Sequence, residues 1–104
     1  MPVTMIGGTT VNVDAEGFLT EFAEWDERLA VDLAAQIGIT LTDAHWRVLR
    51  ILRADYTTRD ETATLRRVSI LANTPIKDLF ALFPSKPAKK MAYIAGLPKP
   101  RGCV

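Results

Sequence analysis

The end of the chain sets the first limit on its fold. The run Ala95-Gly96-Leu97-Pro98-Lys99-Pro100-Arg101-Gly102-Cys103-Val104 carries two prolines, and its cysteine is the only one in the chain. Proline fixes φ and has no backbone N–H, so this stretch can neither prolong a helix nor enter the middle of a sheet. It is expected to run extended. The folded unit is then expected to occupy residues 1–96, with residues 97–104 as a flexible arm that carries Cys103. A lone cysteine is commonly a small buried hydrophobe. Burying Cys103, however, would draw the terminal carboxylate one residue away out of water. An accessible thiol is expected, with Lys99 and Arg101 close in sequence to favour the nucleophilic thiolate and the carboxylate opposing them.

The rest of the chain bounds what such a thiol can do. At 104 residues there is room for one modest core and not for two. One cysteine excludes an internal disulfide, and Cys103 with the single histidine, His45, cannot build a zinc site from soft ligands. Any disulfide must therefore join another molecule. No apolar run is long enough to span a bilayer, and the N-terminus lacks the basic and apolar regions of a secretory signal. A cytoplasmic protein with no membrane partner and no cofactor is expected.

The net charge of +1 conceals an asymmetry, because residues 1–61 hold 11 of the 12 acids and residues 62–104 hold 8 of the 13 bases. A basic C-terminal half can attract nucleic acid, an acidic protein or a small sulfur oxyanion. Alternatively, the two halves face one another and partly cancel.

Val3–Ile6 and Thr9–Val13 are β-prone runs around Gly7-Gly8, which supplies positive φ at both turn positions of a hairpin. Asp14–Gly17 reads as a second turn, Phe18-Leu19 as a brief third strand, and Phe22 and Trp25 as packing aromatics. Asp26 can cap a helix whose Leu29, Ala30, Leu33, Ala34 and Ile37 share one face, closed by Gly38. Thr42 can cap a second, through about Tyr56, that buries His45, Val48, Leu49 and Leu52. Arg47, Arg50 and Arg53 make a stripe beside that face, expected to be solvated, with Asp43 pairing Arg47 at i,i+4. His45 is expected to be a packing residue.

A third helix is expected over about Glu61–Ala72, and a fourth from Thr74-Pro75 to Pro84, together resembling a helix-turn-helix. Of the fourth helix's Ile76, Lys77, Asp78 and Ala81, only Lys77 suits a phosphate or base. Ser85 and Pro87 open a fifth helix that ends at Gly96. The fold class is therefore α+β, mostly helical. A small N-terminal antiparallel hairpin or meander packs on about five helices, and an extended mobile arm follows.

Several stretches together resemble the DsrC/TusE family of sulfur-trafficking proteins. They are Asp14-Ala15-Glu16-Gly17-Phe18-Leu19, His45-Trp46 with Leu52-Arg53 downstream, Leu82-Phe83-Pro84, Pro87-Ala88-Lys89, and the run from Ile94 to Pro100 that leads to Cys103. The match spans nearly the whole chain and is most specific at its C-terminal end. The resemblance implies a meander against an array of helices, with Cys103 bearing a persulfide or forming a mixed disulfide as the arm enters a partner. It also makes Arg66 and Lys89, with Lys99 and Arg101, candidates for holding the arm or an anionic sulfur species.

Two departures from the family pattern stand out. The second arm cysteine of members that work with dissimilatory sulfite reductase is Ala92 here, and a Gly/Lys-rich insertion before the Leu-Phe-Pro motif is missing. An intramolecular disulfide is impossible, and the cysteine count matches the tRNA-thiolating branch. The expected function is a sulfur carrier without a turnover site of its own. Its expected partners are a protein donor and acceptor, such as sulfurtransferases and sulfite-reductase-like or tRNA-thiolating enzymes. The alternatives are a docking subunit that transfers no sulfur, similar to a sulfite-reductase gamma subunit, and a DNA-binding regulator using Arg66, Arg67 and Lys77.

Overall fold

A computed structural model describes residues 2–101, so Cys103 lies outside the described residues. Strands β1 (Val3–Ile6) and β2 (Thr9–Asn12) pair antiparallel in the register Val3 to Asn12 and Ile6 to Thr9. Gly7 and Gly8 have φ of 55° and 84°, the left-handed values a two-residue hairpin turn needs. The next turn is closed by the Asp14 carboxylate, whose Oδ1 accepts from the N–H of Glu16 at 2.9 Å and of Phe18 at 3.0 Å. Beyond it the expected third strand shrinks to a single bridge between Val13 and Leu19.

A short 3-10 turn at Phe22–Glu24 leads into helix α1 (Glu27–Gln36), whose first turn is capped by Asp26 Oδ1 accepting from Leu29 N–H at 2.8 Å. Helix α2 (Asp43–Arg59) runs three residues past Tyr56, because the Tyr56 ring stacks on Phe22 at 5.5 Å and Asp60 adopts the left-handed cap. Helix α3 (Leu65–Leu71) starts later than Glu61, since Thr64 takes the cap position and accepts from Arg67 N–H. Thr62 and Ala63 are buried ahead of it.

Pro75 stands at the cap of α4 (Ile76–Leu82), while the Thr74 hydroxyl turns back to the Ala72 carbonyl. Pro87 is the first residue of α5 (Pro87–Ile94), as expected, but left-handed Lys86 takes the cap position in place of Ser85.

The main core joins Val48, Leu49 and Leu52 of α2 to Val68, Leu79 and Phe83 and to Met91, Ile94, Ala95 and Leu97. A smaller cluster sets the hairpin's Ile6 and Val11 on Leu29 and Leu33 of α1. Trp25 and Tyr93 pack against both.

Packing continues beyond Gly96, where the flexible arm was expected to begin. Leu97 is fully buried, Pro100 is buried, and the Pro98 carbonyl accepts from the Thr62 hydroxyl at 2.7 Å. Prolines keep a segment out of helix interiors and central strands, but they do not exclude burial.

Gly96 has φ +70°, and a β-carbon there would lie 2.5 Å from Trp25 Cδ1. Gly96→Ala should therefore lower the unfolding free energy by about 2–4 kcal/mol, as left-handed strain and overpacking add. Gly38→Ala, at φ +73° with nothing within 4 Å of the added carbon, should cost only about 1–2 kcal/mol in the same urea titration.

Candidate functional site

The root of the C-terminal tail is held by one guanidinium. Arg53 of α2 lies 3.8 Å from the Phe22 ring centroid and 4.2 Å from that of Trp25. It donates to the Ala95 carbonyl at 2.8 Å and to the Phe22 carbonyl at 3.0 Å. The Trp25 indole N–H reaches the Ile94 carbonyl at 2.8 Å. Burial pulls the Arg53 guanidinium below its usual value, and the carbonyls and ring faces replace the water it gives up.

Arg53 is thus the residue that periodicity misplaced. It belongs to no solvated stripe, and its neighbours differ from it. Arg50 forms an exposed pair with Glu27 at 3.2 Å, and Arg47 reaches the Thr74 hydroxyl at 3.3 Å instead of pairing with Asp43.

The site residues expected from sequence fall in separate places. Lys99 pairs with Glu16 at 3.2 Å, joining the tail to the turn after β2. Lys99 and Arg101 also line a hollow of about 270 Å³ with Tyr56, Arg59 and Thr62, two positions short of Cys103. Asp60 and Glu61 stand in the same hollow, so it carries both signs of charge. Arg66 is exposed on α3. Lys89 lines a different hollow, of about 400 Å³, on α5. Ala92, where the resemblance places a second cysteine in other members, is fully buried in the core.

Two further residues are committed to the fold. His45 Nδ1 accepts from Thr42 N–H at 3.0 Å, which leaves Nε2 to donate to the Leu82 carbonyl at 2.7 Å. The imidazole therefore ties α2 to the end of α4. Arg67 grips the Asp55 carboxylate with two bonds, at 2.7 and 3.0 Å. That pairing draws Arg67 away from a DNA contact. Helix α4 exposes Ile76 and Phe80 around a single Lys77, a poor surface for phosphates.

Comparison with known proteins gives one consistent result. Residues 5–104 match the model of a family described as DsrC like protein. Sulfurtransferase TusE of Sodalis glossinidius (strain morsitans) is 40% identical over 104 residues, covering 93% of this chain and 96% of that one. The NMR structure of Allochromatium vinosum DsrC superposes with a TM-score of 0.84 at 32% identity, covering 98% of this chain and 97% of that one. The oxidized gamma-subunit of the dissimilatory sulfite reductase (DsrC) from Archaeoglobus fulgidus gives 0.79 at 33%, covering 99% and 100%. No helix among the described residues is long and apolar enough to cross a membrane.

Arg53→Lys keeps the charge but cannot reach two carbonyls while lying flat between two rings. Backbone amide exchange at residues 95–97 should accelerate about tenfold or more in this variant, and faster exchange only in α3 would contradict the clamp. The Asp55 carboxyl is held below the ordinary carboxylate range, chiefly by the hydrogen bond from Arg67, with burial pushing the other way. A lowered folded-state value contributes stability that is complete above the unfolded value of about 4 and is lost as pH falls through the folded one. Stability should fall below about pH 4, and Asp55→Asn should flatten that part of the profile in urea titrations.

Proposed function

The chain belongs to the DsrC family, and from that membership we propose that it is a single-cysteine sulfur carrier acting between protein partners. The observation that carries the reading is a family match extending through residue 104, in which the one thiol, Cys103, is the penultimate residue. The name sulfurtransferase borne by the Sodalis relative supports the same chemistry. The Cys103 thiolate attacks the outer sulfur of a donor persulfide, R–S–S⁻. The donor's S–S bond breaks, R–S⁻ leaves, and the new bond makes Cys103–S–S⁻. A second exchange passes that sulfur to an acceptor thiolate and returns Cys103 to its starting state. No electrons are gained or lost overall, and no cofactor is needed.

On this reading Cys103 is what the protein offers its partners, beyond a tail root packed on the folded body through Pro100. Lys99 and Arg101 lie beside the thiol in sequence, where their charge favours thiolate and persulfide anions. Arg66 and Lys89 are the candidates for holding the arm or an anionic sulfur species, and the protein works in the cytoplasm. Likeness to the Archaeoglobus gamma-subunit favours a second reading, in which the chain docks on a larger enzyme without passing sulfur.

Intact mass after incubation with a persulfide donor separates the two. A gain of about one sulfur atom, reversed by dithiothreitol and lost in Cys103→Ser with the fold retained, is the expected result. Loading that survives Cys103→Ser would sink the carrier. No loading of an alkylatable thiol would favour the docking subunit.

A further inference from the structure

Helix α5 has two faces with opposite fates. Met91, Ala92 and Ile94 enter the core, whereas Lys86, Lys89, Lys90 and Tyr93, spaced at i, i+3, i+4 and i+7, turn to the hollow of about 400 Å³. Three stretches far apart in sequence close that hollow. The turn after β2 contributes Glu16 and Phe18, the end of α1 contributes Ile37, and α5 with the two residues before it contributes the rest. The half-buried Tyr93 ring forms an aromatic wall of the hollow, and the buried Phe18 ring meets it edge to face at 5.8 Å.

The charges around this wall are unbalanced. Glu16 at the rim is the one carboxylate lining the hollow, and Lys99 already holds it at 3.2 Å. The Lys90 ammonium donates to the Pro84 carbonyl, which leaves its charge intact. Among the described residues no acid forms an ion pair with Lys86, Lys89 or Lys90. Burial pushes the Tyr93 phenol up, so its hydroxyl remains a donor.

A plain oxyanion gains nothing from an aromatic wall, and a neutral apolar molecule gains nothing from three ammonium groups. We infer that the α5 hollow is a binding site for a small amphipathic anion, whose flat apolar body lies on Ile37 and Tyr93, backed by buried Phe18, while its carboxylate or sulfonate head meets Lys86 and Lys89. The volume lies at the small end of the roughly 300–1,000 Å³ typical of small-molecule sites, enough for one fused ring system. The inference needs no thiol, and it assigns Lys89 to this ligand in place of the arm.

The test is an amide NMR titration of the reduced full chain with naphthalenesulfonate, with inorganic sulfate and naphthylmethanol as the head and the body alone. Saturable shifts are expected at residues 17–18, 37, 86 and 88–93, with each fragment binding about tenfold more weakly or worse. Lys86→Gln with Lys89→Gln should weaken naphthalenesulfonate about tenfold while amide dispersion shows the fold intact. Shifts centred on the exposed apolar residues Ile70, Ile76 and Phe80 would overturn the assignment. Sulfate binding as tightly as naphthalenesulfonate, unchanged affinity in the double variant, or no saturable shift would overturn it too.

Discussion

Arg53 is the interaction on which the rest of the molecule depends. A guanidinium is the one cation flat enough to lie between two aromatic rings and still bond in its own plane to two carbonyls. Here it joins the Phe22–Trp25 segment, helix α2 and the Ala95 carbonyl in one contact. Remove it and two carbonyls and two rings lose their cationic partner at once, which leaves the Trp25 indole as the side-chain hydrogen bond from this segment to the end of α5. The last core residues, Ile94, Ala95 and Leu97, are packed beside this contact, so the clamp and the hydrophobic core support each other.

The fold was largely legible because each element carries local instructions. Gly7-Gly8 announces the hairpin, Asp26 and Gly38 bracket α1, and Pro87 starts α5, each acting within a few residues of itself. Element ends were read less well where a distant contact decides them. Tyr56 keeps α2 going by stacking on Phe22, 34 positions upstream, and Thr62 stays out of α3 while bonding the Pro98 carbonyl 36 positions downstream. No window of sequence contains both partners.

The candidate site divides along the same line. Cys103 and its cationic neighbours stand out from composition and position alone. Arg53 looked like one arginine in a row of three, since periodicity fixes a helix face but not what packs over it. The lysines of α5 have the reverse history. The resemblance marks Lys89 alone among Lys86, Lys89 and Lys90, and only Phe18 and Ile37, brought from two other segments, turn their face into the wall of a hollow. Charge patterns thus gave the sign of the surface, and tertiary structure gave its shape.

The burial of Ile94, Ala95 and Leu97 also bears on how the protein is made. These residues complete the core and sit within the last eleven positions of the sequence. A ribosome synthesising this chain still shelters them in its exit tunnel when Phe22, Trp25 and Arg53 have emerged. The aromatic segment and α2 must then wait with apolar surface uncovered, since the Arg53–Ala95 and Trp25–Ile94 bonds span 42 and 69 positions. A chain cut before Leu97 yields a molecule that cannot close its own core, so the fold itself inspects whether that segment has been delivered.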